Sequence, residues 1–258
     1  KALASLMIIA GISIACTSTG TERKGSVPVG VSDTIAAKAP ADKGKQAPAA
    51  SMTSDRRAKG GTLNLAFVGD IMPGTTFPDS RLPEKDGATL FKDVDSILTA
   101  ADVAAGNMEG ALADEGETTK KGGKFSYSFR VPTRYGKLIA DAGFDFMSMA
   151  NNHAFDFGLD GVKSTEATLH SNGIAYSGIG GRKESAIVER NGIRYGFCAF
   201  GHNSYTLKHA DQENVKRIIG NLREKADIVI VSKCPAELKP MEFRVITKAM
   251  NLFPYQKL

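Results

Sequence analysis

The chain has 258 residues, 42% hydrophobic and 24% charged, with 13 Phe and 6 Tyr, which allows one large or two small domains and excludes a wholly disordered or collagen-like chain. Three cysteines are too few for a disulfide-stapled scaffold. The formal charge of +5 collects at the N-terminal end, in Lys1 and in residues 17–61, where Arg23, Lys24, Lys38, Lys43, Lys45, Arg56, Arg57 and Lys59 face only Glu22, Asp33, Asp42 and Asp55; residues 62–258 hold 24 basic and 24 acidic groups, and so neutral a body lacks the field of a nucleic-acid binder.

After Lys1, residues 2–15 run without a charge. That is too short for the ~20 apolar residues of a spanning helix, and it suits a signal-peptide core. Cys16 follows at once, preceded by Ser13 and Ala15. This resembles the lipobox of bacterial lipoproteins, in which the cysteine is diacylated, although Ser13 stands where such boxes usually carry Leu. A lipidated Cys16, a plain cleaved signal and an uncleaved anchor all place the protein outside the cytoplasm, and the lipidated form is expected as a membrane-anchored lipoprotein of the cell envelope. Residues 17–61 contain no aromatic residue and are dense in Ala, Pro, Gly, Ser and Lys. They cannot bury enough apolar surface to offset their ordering entropy, so they read as a flexible tether spanning roughly 35–40 Å.

From residue 62 the texture changes. Leu63, Leu65 and Phe67 alternate with Asn64, Ala66 and Val68, a strand pattern. Leu90, Phe91, Val94, Ile97, Leu98 and Ala101 fall at helical spacing. Residues 103–106 read as a short buried strand, 125–131 as an alternating strand, and Pro132 opens a helix running to Ala142. A strand over 144–150, a helix over 159–170 and a strand over 174–176 follow. Asn191-Gly192 between two apolar runs marks a hairpin, since both positions of a type I′ turn need positive φ. A charged helix over 211–225 leads into a strand over 226–232. Strands alternating with helices, joined once by a hairpin, predict an α/β fold with a mixed sheet.

Polar residues cluster where three of these strands end: Gly69-Asp70, then Asn107-Met108-Glu109-Gly110, then Asn151-Asn152-His153 followed by Asp156 and Gly158. Each group alone reads as turn chemistry. Their shared placement reads as a site, because ligands of α/β sheets bind beyond the carboxyl ends of the strands. Oxygen donors with one imidazole suit Mn²⁺, Mg²⁺ or Fe²⁺ better than a thiolate-type Zn²⁺ site. A carboxylate at Asp70 could bridge two cations, the Asn152 amide could ligate without adding charge, and His153 would be free to protonate a leaving group.

The runs Gly69-Asp70-Ile71-Met72-Pro73-Gly74, Asn107-Met108-Glu109-Gly110 and Ala150 through Gly158 resemble successive motifs of the bacterial capsule synthesis protein family, of CapA or poly-γ-glutamate biosynthesis type. The likeness extends through the Asn191-Gly192 hairpin to residue 232. It implies a fold similar to calcineurin-like metallophosphoesterases, a four-layer sandwich with two sheets between helices. It also implies Asp70, Glu109 and Asn152 as metal ligands, Asn107 as a weaker candidate, and His153 as acid or transition-state stabiliser. By the same resemblance the partner is an anionic surface polymer or its biosynthetic machinery, and the role is either metal-dependent phosphoester chemistry or non-catalytic binding and export of that polymer.

After residue 232 the family continues with histidine-containing turns, whereas here Lys233-Cys234-Pro235-Ala236-Glu237 follows and no later histidine exists. Residues 233–258 therefore read as an atypical tail on a domain of 62–232. A truncated or frame-shifted second half would leave the metal centre incomplete and an open sheet edge at 226–232. Among lesser features, Gly178-Ile179-Gly180-Gly181 reads as a tight turn, His202 as a loop or strand-end residue, and His170 and His209 as surface residues. Cys198 reads as a packed thiol and Cys234 as exposed.

Overall fold

The computed structural model describes residues 63–123, 126–234 and 241–247; the leader with Cys16, the tether and most of the tail lie outside them. Four strands make a parallel sheet in the order β1 (Leu65–Ile71), β2 (Val103–Met108), β5 (Phe146–Ser148), β6 (Ala175–Ser177). A mixed sheet runs β10 (Glu242–Thr247), β9 (Ile228–Lys233), β8 (Ile193–Phe200), β7 (Ala186–Arg190), in which only β8 and β9 are parallel. A short parallel pair joins β3 (Ala111–Leu112) to β4 (Arg130–Val131). Helices α1 (Asp95–Ala100), α2 (Tyr135–Asp141), α3 (Gly158–Ser171) and α4 (Gln212–Lys225), with a 3₁₀ turn at Glu84–Gly87, complete the described elements.

Three packing layers follow from which face of each strand is apolar. Val103, Ala105 and Phe146 meet Tyr195, Phe197 and Ile230 between the two sheets, where the Phe146 and Phe197 rings stack at 4.5 Å. The other face of the parallel sheet, with Ala104 and Met147, packs against Leu98, Ile139, Val162 and Leu169 of α1 to α3. The far face of the mixed sheet, with Cys198, Val229 and Val231, receives Val215, Ile218, Ile219 and Leu222 of α4. An α/β fold with a mixed sheet is what the sequence predicts. The hairpin also matches, Asn191 and Gly192 taking φ of 52° and 72°.

Three predicted elements differ from those observed. Residues 126–129 form no strand, because the Phe129 N–H is taken by the Asp156 carboxylate at 2.8 Å rather than by a neighbouring strand. In the predicted helix at 90–101 only Asp95–Ala100 is α-helical; Phe91 and Leu98 are buried, but Ile97 is 66% exposed, so it does not belong to the apolar face. The expected open edge after residue 232 is also corrected. β10 pairs along β9 from Glu242–Lys233 to Thr247–Ile228, and its Phe243 stacks on Phe67 of β1 at 4.8 Å. The tail thus supplies the ladder partner that β9 would otherwise lack.

One irregularity decides what the first strand presents. Phe67 pairs with Ala105, but Asp70 pairs with Asn107, so β1 carries one residue more than β2 between them. Side chains alternate with period two, and an extra residue transfers all later side chains to the opposite face. Leu65 and Phe67 accordingly pack between the sheets and Ala66 and Val68 toward the helices, whereas beyond the bulge Ile71 packs toward the helices and Asp70 meets Asn107. Gly106 lies opposite the bulge, where an added Cβ would come within 2.5 Å of Ile71 Cδ1 and 2.8 Å of Val68 Cγ2. Gly106→Ala should cost ~1–3 kcal/mol in urea unfolding through overpacking. Gly69→Ala, where a Cβ would meet nothing within 4 Å, should change stability by less than about 0.5 kcal/mol.

Candidate functional site

The carboxyl ends of β1 and β2 and the loop after β5 bring the polar residues together. Asn107, 1% exposed, is the hub. Its Nδ2 donates to Asp70 Oδ1 at 2.8 Å and to Glu109 Oε2 at 3.0 Å, and its Oδ1 accepts from Asn151 Nδ2 at 2.9 Å. Asn151, fully buried, also donates to the Met108 carbonyl and accepts from the His153 N–H. Its amide therefore ties the end of β2 to the loop carrying His153. Asn107, the weaker ligand candidate, is thus the donor that gathers two carboxylates, and its carbonyl oxygen keeps a second lone pair beside the Asn151 contact. Asp70 is exposed at the mouth. Asn152 lies between Asn151 and His153, half-buried.

His153 is clasped from two sides. Its Nδ1 is 2.8 Å from Asp156 Oδ2 and 3.0 Å from Lys120 Nζ, and its Nε2 is 3.5 Å from Glu109 Oε1. The Phe129 ring covers the imidazole at 4.4 Å between centroids. Asp156 is wholly buried and offset by Lys120, whose Nζ is 2.6 Å from its Oδ1. Lys120 was not readable as a site residue, since it sits in a Lys- and Gly-rich run (120–124) that looks like a solvated loop. Only its contacts reveal it.

Three carboxylates near one another in a recess carry an electrostatic cost. Glu109, its side chain 12% exposed, is pushed up to about 8, first by burial and then by the Asp70 charge, against the Asn107 hydrogen bond and Lys120. Among the described residues no group of three or more His, Cys, Asp or Glu side chains could hold a metal ion as placed. The donors at the mouth fit a hard divalent cation in kind, being two carboxylates drawn to one point and short of positive charge. In number they suffice for part of one coordination sphere.

The remaining candidates fall elsewhere. Gly178 and Gly201 approach Ala150 from both sides, a Cβ on either coming within 2.6 Å of its backbone, so the turn at 178–181 is a packing contact. His170 is exposed as read. The surface reading of His209 is corrected: it is half-buried with its Nε2 enclosed, and burial lowers its pKa, as it does that of His202. Cys198 is fully buried, which pushes its thiol up. Cys234 is half-buried rather than exposed, its N–H donating to the Phe200 carbonyl at 2.9 Å.

A parallel sheet whose strand ends gather carboxylates, amides and a clasped imidazole defines an α/β protein with a polar site at the carboxyl edge of its sheet. The chain belongs to the bacterial capsule synthesis protein PGA_cap family, whose profile matches residues 64–233. It is similar to the PGA biosynthesis protein CapA of Bacillus subtilis (strain 168), 28% identical over 184 residues that cover 66% of this chain and 48% of that protein. It is also similar to the capsule biosynthesis protein CapA of Bacillus anthracis, 26% identical over 143 residues, 54% of this chain and 34% of that one. A short stretch of 45 residues, 15% of this chain, is 53% identical to tetraacyldisaccharide 4'-kinase of Bacteroides fragilis (strain YCH46), covering 12% of it. The chain thus spans about half or less of the length of the curated relatives it matches.

The raised carboxyl sets a pH dependence. Between the ordinary value of 4.5 and about 8 the folded chain holds a proton on Glu109 that the unfolded chain has lost, so stability falls as pH rises through that window. Metal-free wild type should therefore show a Tm that declines from pH 5 to pH 9 more steeply than that of Glu109→Gln. Parallel slopes in a thermal melt series would show that Glu109 ionises as an ordinary carboxyl.

Proposed function

We propose that this chain serves capsule or poly-γ-glutamate-type polymer biosynthesis through a divalent-cation site at Asp70 and Glu109, with Asn152 as a further donor and His153 as the acid beside it. The observation that carries this reading is the pair of carboxylates converging on the Asn107 amide, one of them pushed up by its burial and then by the charge of the other. The sheet-on-sheet core, with α1 to α3 on one outer face and α4 on the other, supports the reading of a metallophosphatase-like sandwich and, with it, phosphoester chemistry. When bound, the cation would supply Lewis-acid stabilisation of a phosphoryl or carboxyl oxygen; Mn²⁺, Mg²⁺ or Fe²⁺ suits these oxygen donors better than Zn²⁺. Asn107 and Asn151 orient the carboxylates and the His153 loop, and Phe129 keeps water off one face of the ring.

A second reading, a non-catalytic lipoprotein that binds and helps assemble or export an anionic polymer, draws support from the absence of a three-donor cage among the described residues. The two separate experimentally. At a Mn²⁺ concentration 100-fold above Kd, wild type should gain ~2.7 kcal/mol of stability, a gain that Asp70→Asn and Glu109→Gln abolish. In a strain that makes the surface polymer, Asp70→Asn should also end its production. Polymer made undiminished by Asp70→Asn would sink the catalytic reading and leave the binding one.

We also infer that the protein is exported and held to the membrane by a lipid on Cys16, with residues 17–61 as tether. No described helix is long and apolar enough to cross a membrane. Radiolabelled palmitate should enter the wild-type chain and not Cys16→Ser; equal labelling of both would overturn the inference.

A further inference from the structure

Two asparagines of this chain precede a glycine, in Asn172-Gly173 and Asn191-Gly192. In such a pair no side chain on the glycine hinders its nitrogen from reaching the asparagine amide carbon, and the structure treats the two pairs in opposite ways. Asn172 closes the C-terminus of α3. Its Nδ2 donates to the Thr168 carbonyl at 2.8 Å and lies so near α2 that a Cβ on Gly136 would come within 2.8 Å of it, while the Gly173 N–H donates to the His170 carbonyl at 3.0 Å. Amide and attacking nitrogen are both engaged. Asn191 is exposed at the tip of the hairpin between β7 and β8. Its Nδ2 makes one long contact, at 3.3 Å to Asp102 Oδ1. The turn is closed by the Arg190–Ile193 pair, which leaves the Gly192 N–H outside the ladder, and that N–H donates to no carbonyl among the described residues.

We propose that Asn191 is a site of spontaneous deamidation and that Asn172 is protected from it. The Gly192 nitrogen, once it has given its proton to water or hydroxide, attacks Asn191 Cγ. The new C–N bond closes a cyclic imide as Nδ2 takes up a proton and leaves as ammonia. Water then opens the ring at either carbonyl, giving aspartate or, with the chain rerouted through the side chain, isoaspartate. Either product puts a carboxylate where the Asn191 amide met Asp102, and like charges repel there. Asp102 is the residue whose Oδ2 accepts the Asn64 N–H at 2.8 Å ahead of β1. Isoaspartate also adds a methylene to the backbone of a two-residue turn whose length sets the register of β7 against β8. Conversion therefore loosens the hairpin. It acts at the opposite ends of β1 and β2 from Asp70 and Glu109, and it does not depend on the proposed function.

The test holds the full chain in mildly alkaline buffer, folded or in urea, and follows the fraction converted at each asparagine by peptide mass spectrometry, with isoaspartate separated from aspartate by retention. In the folded chain Asn191 should convert about tenfold or more faster than Asn172, because the Asn172 pair must first break two hydrogen bonds. In urea, where only the dipeptide counts, the two rates should come together. Equal rates in the folded chain, or Asn172 the faster, overturn the proposal, and so does a folded Asn191 that stays intact while both convert in urea. The same incubation should lower the Tm of wild type and leave that of Asn191→Gln unchanged; a wild-type Tm that survives conversion of Asn191 overturns the loosening of the hairpin.

Discussion

The extra residue that β1 carries between Phe67 and Asp70 is the constraint on which the site depends. Before it, odd-numbered side chains fill the space between the sheets; after it, Asp70 turns to the side on which Asn107 waits. In an unbroken ladder Asp70 would take the helix-side face that Ala66 and Val68 occupy, where a carboxylate finds no donor and no water. The same slip demands glycine at position 106, because the bulged chain presses Val68 and Ile71 onto that point. Fold and site thus meet in one irregular pairing, and the polar group at the strand end is bound to the apolar packing behind it.

The second layer of the site is built from amides, and that choice has a physical reason. Asn107 and Asn151 are both buried, and each must use donors and acceptors in full. In doing so they link β1, β2 and the loop after β5 without adding charge to a recess that already contains Asp70, Glu109 and Asp156. Lys120 offsets only the last of these directly. The imbalance appears on Glu109, the more enclosed of the two carboxyl groups at the mouth, which burial and the Asp70 charge push up to about 8.

Much of this was legible in the sequence. Periodicity located the strands and helices, the Asn191-Gly192 pair gave its turn, and the convergence of three polar strand ends foretold where Asp70, Asn107, Glu109 and His153 meet. What escaped was whatever depends on partners rather than on pattern. Alternation in residues 63–68 says nothing of the bulge that follows, because an inserted residue looks like any other until its neighbour strand is known. Residues 125–131 alternate like a strand, yet a distant carboxylate, Asp156, takes the Phe129 N–H. Lys120 looks like solvated charge and is the cation of the site. The strand at 242–247 was hidden because its apolar residues gain meaning only against Phe67 and β9.

Asn107 shows how narrow the margin is. Its two amide hydrogens both point at carboxylates, and its own shape differs from that of aspartate by a single NH₂ for an oxygen. That exchange would keep the shape and remove both donations: the group that draws Asp70 and Glu109 together would offer them only oxygen. The two carboxyl groups at the mouth are gathered by a residue that carries no charge, so their meeting is a matter of one nitrogen.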